Sequence, residues 1–330
     1  MKKILLTGGA GFMGSHVLDE LLNSDNQVIV IDDLSGGFLE NVNPKAKFIQ
    51  GSIEDQNLLE DLFKEYSFDY VFHLAAYAAE GLSHFIRKFN YNNNLIGSIN
   101  LINLSIKYKI KCFVFTSSIA VYGKNQLPMN ESMQPSPEDP YGIAKYAIEL
   151  DLKAAKELFN LNYIIFRPHN VYGERQNIGD KYRNVIGIFM NQIMESKPIT
   201  IFGDGEQTRA FSYIKDVAPI IAKSINNKKA YNEIFNVGAD KPYSINDLAE
   251  IVFNVFNKSL SVNSQPARNE VIHAFSSHEK LKSYFNYESQ FTLKEGVEKM
   301  YKWAKIEGAK DTQKFSNIEI KEGLPAIWSS

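Results

Sequence analysis

Short runs of Val, Ile, Leu and Phe alternate along the chain with stretches whose apolar residues recur every three or four positions. The runs Ile4–Thr7, Val28–Asp32, Lys47–Gln50, Tyr70–Leu74, Cys112–Thr116 and Tyr163–Arg167 show little polar alternation. That predicts strands covered on both faces. Between the later strands, Leu95, Ile99, Ile102 and Ile106 fall at helical spacing, as do Ala144, Ala147, Ile148 and Leu152. Strands alternating with amphipathic helices predict an α/β fold with a doubly wound parallel sheet. From about residue 175 the rhythm loosens: Gly173, Asn177, Gly179 and Asn184 crowd together, and Ile199–Phe202 and Glu233–Val237 stand apart. The pattern is read as a larger domain over 1–175, with a return strand near 233–238, and a smaller C-terminal α/β domain over 176–330. The stretch Lys314–Ser330, with Pro325 and Trp328, takes no role from the pattern.

Composition narrows the function. The 330 residues are 44% hydrophobic and 22% charged, with a formal net charge of −2. A core of ample size follows, but no global attraction to nucleic acid or to an anionic membrane. Phosphate must therefore be held by local donors. Cys112 is the single cysteine, and the six histidines lack metal-ligand spacing, so neither a disulfide nor a bound metal is expected. The apolar run Ile4-Leu5-Leu6 ends at Thr7-Gly8-Gly9, too short for an export signal. No stretch approaches the ~18 apolar residues of a membrane span. A cytoplasmic location is expected.

Two local constellations carry chemistry. Thr7-Gly8-Gly9-Ala10-Gly11-Phe12-Met13-Gly14 follows the first strand and opens a helix near Phe12. Glycines there permit a tight turn and let backbone N–H groups approach a diphosphate. Asp32 ends the second strand, where a carboxylate can accept bonds from ribose hydroxyls. Asp33 follows it, and no Lys or Arg appears before Lys45, which favours NAD over a 2′-phosphorylated dinucleotide. The second constellation is Tyr141-Gly142-Ile143-Ala144-Lys145, which sets Tyr and Lys on one helix face. A nearby ammonium is expected to lower the phenol from its reference of ~10 and make it a usable base. Thr116-Ser117-Ser118 ends a strand, where the Ser118 hydroxyl can share that proton.

Together these residues resemble the extended short-chain dehydrogenase/reductase family, in its nucleotide-sugar epimerase/dehydratase branch. The resemblance extends through His73-Leu74-Ala75-Ala76, Tyr91-Asn92-Asn93-Asn94, Val121-Tyr122-Gly123, Arg167-Pro168-His169-Asn170 and Phe202-Gly203-Asp204-Gly205 with Arg209. It implies a Rossmann-type NAD-binding domain and a smaller substrate-binding domain. By the same resemblance, Gly8, Gly11, Phe12, Met13 and Gly14 hold the NAD diphosphate. Asp32, Asp33, Ser35, Ser52, Ile53, Leu74, Ala75, Ala76, Asn94 and Pro168 complete the cofactor site, although the family usually has Asp at the position of Ser52. Ser118, Tyr141 and Lys145 form the catalytic group, with Tyr141 and Lys145 also at the cofactor and Ser118 and Tyr141 at the substrate. Asn170, Asn184, Val185, Phe202 and Arg209 contact a nucleoside-diphosphate sugar. Arg268 and Glu270 resemble a second diphosphate arginine and a ribose carboxylate, set two apart where the family more often has three. Helices beginning near Asn94 and Tyr141 resemble those that pair in a homodimer.

The reaction is read from the residues after Ser118. Dehydratases of this branch place an acidic pair there, to move protons across C5 and C6. This chain has Ile119-Ala120, and Cys112 lies too early in its strand to serve a 5-epimerase. What remains is NAD-dependent 4-epimerisation through a 4-keto sugar. UDP-glucose/UDP-galactose is the first expectation, followed by UDP-N-acetylhexosamine and UDP-uronate. A nucleotide-sugar reductase shares every motif, and a non-catalytic NAD-binding regulator is the alternative of a different class.

Overall fold

The computed structural model describes residues 1–329 apart from 269 and 313. Six strands, β1 (Lys3–Thr7), β2 (Gln27–Asp32), β3 (Lys47–Gln50), β4 (Tyr70–His73), β5 (Cys112–Thr116) and β6 (Tyr163–Pro168), join the later strand Glu233–Val237 in one sheet. Every pairing in it is parallel, and the spatial order is 233–237, β6, β5, β4, β1, β2, β3. All residues of β4 and β5 are buried, which is why their sequences lack alternation.

The two sheet faces feed two cores. Leu5, Ile29, Val71, Phe113 and Ile165 pack with Leu59 and Phe63 of α2 (Gln56–Tyr66), Leu101 of α5 (Gly97–Lys107) and Ile148 and Leu152 of α6 (Pro140–Phe159). Ile4, Leu6, Val30, Phe72 and Val114 face the other way, onto Val17 and Leu18 of α1 (Phe12–Leu22) and Val217 and Ile221 of helix Ile214–Lys223. The start of α6 is fixed locally. Asp139 accepts the Gly142 N–H at 2.9 Å and Pro140 takes the first helical position, the expected N-terminal pair. The periodicity that began at Leu95 belongs to α5 only from Gly97; Asn92–Ile96 forms a wider π turn ahead of it.

Strand order reverses between β1 and β4, so the loops leaving their C-terminal ends diverge and open a crevice. A buried polar chain holds this point together. Thr7 Oγ1 lies 2.7 Å from His73 Nδ1, His73 Nε2 lies 2.7 Å from Ser98 Oγ, and Ser98 donates to the Asn94 carbonyl at 2.7 Å. Residues past 175 build the opposite wall from small sheets. Ile199–Phe202 pairs with Val262–Gln265, and Thr208–Ala210 lies between Pro242–Ser244 and His273–Ala274. No helix among the described residues is long and apolar enough to cross a membrane.

Candidate active site

One cavity of about 1030 Å³ runs from the glycine turn after β1 to Phe202, Arg209 and Arg268 in the opposite wall. At its near end, the close approach of two loops demands glycine. A Cβ on Gly8, whose φ is +74°, would stand 2.6 Å from the Ala75 nitrogen, and one on Gly14 only 1.9 Å from the Gly8 carbonyl. Gly11 caps α1 with no side-chain partner for the helix's first N–H groups, which leaves an anion-binding helix end facing the cavity. Asp32 is buried at the tip of β2; its oxygens accept the Ala10 and Leu34 N–H groups at 3.0 and 2.9 Å. Burial raises its carboxyl from the ordinary value, against those bonds. Asp33, Ser35, Ile53, Leu74, Ala75, Ala76 and Pro168 also line the cavity. A glycine cradle, an uncapped helix end and a carboxylate at the second strand tip fit the diphosphate and ribose of a dinucleotide.

Two residues assigned to the cofactor do not line the cavity. Ser52 turns its hydroxyl to the Glu54 N–H at 3.1 Å, in its own turn. Asn94 is buried beneath the loop after β4, where its amide accepts the Tyr77 N–H at 2.8 Å and donates to the Tyr77 carbonyl at 3.1 Å. The π turn aims Asn94 at that loop, which it holds from below. The preference for NAD stands with the family, but its premise is narrower than the sequence suggested. Although no cation follows Asp32 in sequence, Arg183 reaches Gly36 from the opposite wall, ion-paired to Asp180 at 2.6 Å and lying over the Tyr77 ring.

At the centre, Ser118, Tyr141 and Lys145 line the cavity together. Ser118 begins a short helical turn, Ile119–Tyr122, and accepts the Ala120 N–H at 3.2 Å. Tyr141, in the first turn of α6, faces the same space, and Ser118 favours its ionised form. One turn on, the Lys145 Nζ lies 5.8 Å from the Tyr141 ring centre and donates to the Thr116 carbonyl at 2.8 Å. Beneath it, buried Glu149 takes Arg167 in a paired ion bridge and accepts from Ser117 at 2.5 Å.

The expected lowering of the phenol is reversed. Burial pushes Tyr141 above its ordinary value, helped by the Glu80 and Asp139 carboxylates and opposed by Ser118 and Arg183. Lys145 moves the other way, lowered to about 7 by burial despite Glu149. Desolvation acts on both charged forms and outweighs their mutual attraction. Glu80, at the head of the short α3 (Glu80–Ser83), lines the same space and is pushed up to about 7, by desolvation first and then by Asp139. Sequence reasoning missed it because nothing in its local pattern marks it.

At the far end, Asn170, Asn184, Val185, Phe202, Arg209, Arg268 and Glu270 all line the cavity. Glu270 Oε2 lies 3.2 Å from a terminal nitrogen of each arginine. The Arg209 terminal nitrogens also bind the Thr208, Val271 and Ile272 carbonyls. Arg268 lies 4.3 Å over the Phe202 ring, with its Nε buried and without a partner among the described residues. Trp328 comes from the stretch left without a role and closes this end, 5% exposed.

The model of the NAD dependent epimerase/dehydratase family matches residues 4–238. A putative UDP-glucose 4-epimerase of Methanocaldococcus jannaschii is 37% identical over 306 residues, 92% of this chain and 98% of that protein. The UDP-glucose 4-epimerase of Thermotoga maritima, solved with UDP-glucose, superposes with a TM-score of 0.88 at 35% identity, covering 92% of this chain and 99% of that one. A UDP-N-acetylglucosamine 4-epimerase of Methanobrevibacter ruminantium, solved with UDP-N-acetylmuramic acid, gives 0.86 at 34% identity, covering 93% and 99%.

Proposed function

Since this chain belongs to the NAD-dependent epimerase/dehydratase family, we propose that it inverts C4 of a nucleoside-diphosphate sugar, with UDP-glucose/UDP-galactose as the first substrate pair to try. The observation that carries this reading is the single cavity joining the glycine cradle, the Ser118–Tyr141–Lys145 group and the Phe202–Arg268 end. Gly8, Gly11, Phe12, Met13, Gly14 and Asp32 would hold NAD, with Asn94 acting through the Leu74–Tyr77 loop. When bound, NAD⁺ supplies the hydride acceptor and later the donor at C4.

The chain's own residues move the proton. Tyr141 takes it from O4, Ser118 shares it, and Lys145 in its ammonium form stabilises the phenolate. Phe202 offers a face for the nucleobase. Arg268, whose Nε has no partner among the described residues, is better placed than the heavily engaged Arg209 to meet a diphosphate by charge-assisted bonds. Asn170, Asn184 and Val185 flank the same lane, and Glu270 orients both arginines. The residues before and after about 175 divide these duties, cofactor to the first part and sugar nucleotide to the second.

Glu80 favours a second reading, since an acid–base carboxyl near Tyr141 is what elimination or C5 epimerisation requires. Incubation with a panel of nucleotide sugars, followed by NMR at the sugar carbons, separates the readings: 4-epimer formation supports the first, and loss of water or change at C5 the second. A homodimer is supported by Ile143 and Leu150, 41% and 47% exposed on one face of α6, beside Ile96, 46% exposed ahead of α5. A cytoplasmic location fits a lone buried thiol, Cys112.

A further inference from the structure

Beyond helix Leu293–Glu307 the chain does not leave the molecule but crosses the cleft. It is pinned first to the substrate wall, where Asn191 exchanges hydrogen bonds with the Lys310 backbone at 2.8 and 2.9 Å. The Phe315 N–H then donates to the Tyr182 hydroxyl at 3.1 Å, and its ring packs on Tyr77 and Phe89 across the cleft. Glu319 accepts the Lys88 and Phe89 N–H groups, both at 2.8 Å, in the first turn of α4 (Arg87–Tyr91). A last helical turn, Ala326–Ser329, drops Trp328 into the cavity.

There the indole touches both walls. It packs on Phe85 and against Gly81, where an added Cβ would stand 3.1 Å from it, and on Tyr182, Phe202 and Arg268 opposite. Among the described residues after Ala304, Trp328 alone is buried. The segment's other apolar side chains, Phe315, Ile318, Leu324 and Ile327, are only partly buried against the cluster around it, and its hydrogen bonds are part-buried or exposed. A crossing segment so held sits towards the low end of local stability, where moving lids are found.

We propose that the described residues 308–312 and 314–329 are a strap that opens to admit the nucleotide sugar and closes behind it, with Trp328 as its latch and as a wall of the substrate lane. This rests on the epimerase reading above, whose chemistry supplies the reason for a strap. The 4-keto sugar is bound by no covalent link, and it must turn over and recapture hydride before it escapes. Closure across both walls retains it and keeps water out.

The test uses the full chain with Trp303→Phe, which leaves Trp328 as the sole tryptophan. Addition of UDP is expected to shift its emission. Trp328→Ala, which removes a buried aromatic contact, is expected to raise KM on the order of tenfold. Separately, Glu319→Ala, which removes the strap's side-chain hydrogen bonds to α4 without touching the latch, is expected to raise it in the same direction. Both should also leave part of the enzyme in its NADH form with free keto sugar in solution. Unchanged emission with KM within twofold in both variants overturns the proposal, because the strap is then only packing. A lowered KM overturns it too, because the strap is then an obstruction. If the unmutated protein turns over no nucleotide sugar, the epimerase reading fails instead, while the UDP-dependent emission still reports on the strap.

Discussion

Lys145 illustrates how burial sets the chemistry of single residues in this site. Its folded-state value near 7 lies below the ordinary 10.5, so the unfolded chain holds the proton more tightly. The residue therefore costs stability progressively as pH falls from 10.5 towards 7, and the cost is constant below that. Replacement by Met removes the titration. The stability gained over the parent, read by denaturant titration, is expected to be larger at about pH 7 than at about pH 9.5, by on the order of 1–3 kcal/mol. A difference independent of pH contradicts a depressed Lys145. Tyr141→Phe keeps the buried ring and loses the base, so turnover should fall ~10²–10⁴-fold while NAD remains bound. Full activity in that variant removes Tyr141 from the mechanism.

Between residue and fold stand the turns that aim side chains, and sequence legibility divides at this level. Gly8 to Gly14, Asp32 and the Tyr141/Lys145 pair were readable because their geometry is local: a strand, a tight turn, one helical turn. Ser118 was readable because it stands just past the end of β5. Glu80, Arg183 and Trp328 were not, since each reaches the cavity through contacts made by distant chain. Ser52 and Asn94 do not line the cavity, because resemblance gives a position, whereas side-chain direction depends on the local turn. The π turn at Asn92–Ile96 directs Asn94 to the Tyr77 backbone. Asn94→Ala leaves that N–H and carbonyl unpaired, at a cost of about 1–3 kcal/mol. Lower stability with weaker NAD binding is expected, both measurable by calorimetry. Undiminished NAD affinity would limit Asn94 to a purely structural part.

On the scale of the whole molecule, two walls meet over one cavity, and the proposed symmetric pairing through α6 would bury the exposed Ile143 and Leu150. Light scattering at micromolar protein should give twice the chain mass; a monomer mass removes that pairing. The central claim is hydride return to C4 within a closed pocket, and the path of hydrogen tests it most directly. Substrate deuterated at C4, turned over in ordinary water, is predicted to yield the 4-epimer with its deuterium retained. In D2O the product is predicted to carry no solvent deuterium on carbon and to have lost no water. Solvent deuterium at C5 would contradict this account and turn attention to Glu80 as an acid–base group, and escape of the C4 label into free NADH would contradict it in favour of a reductase.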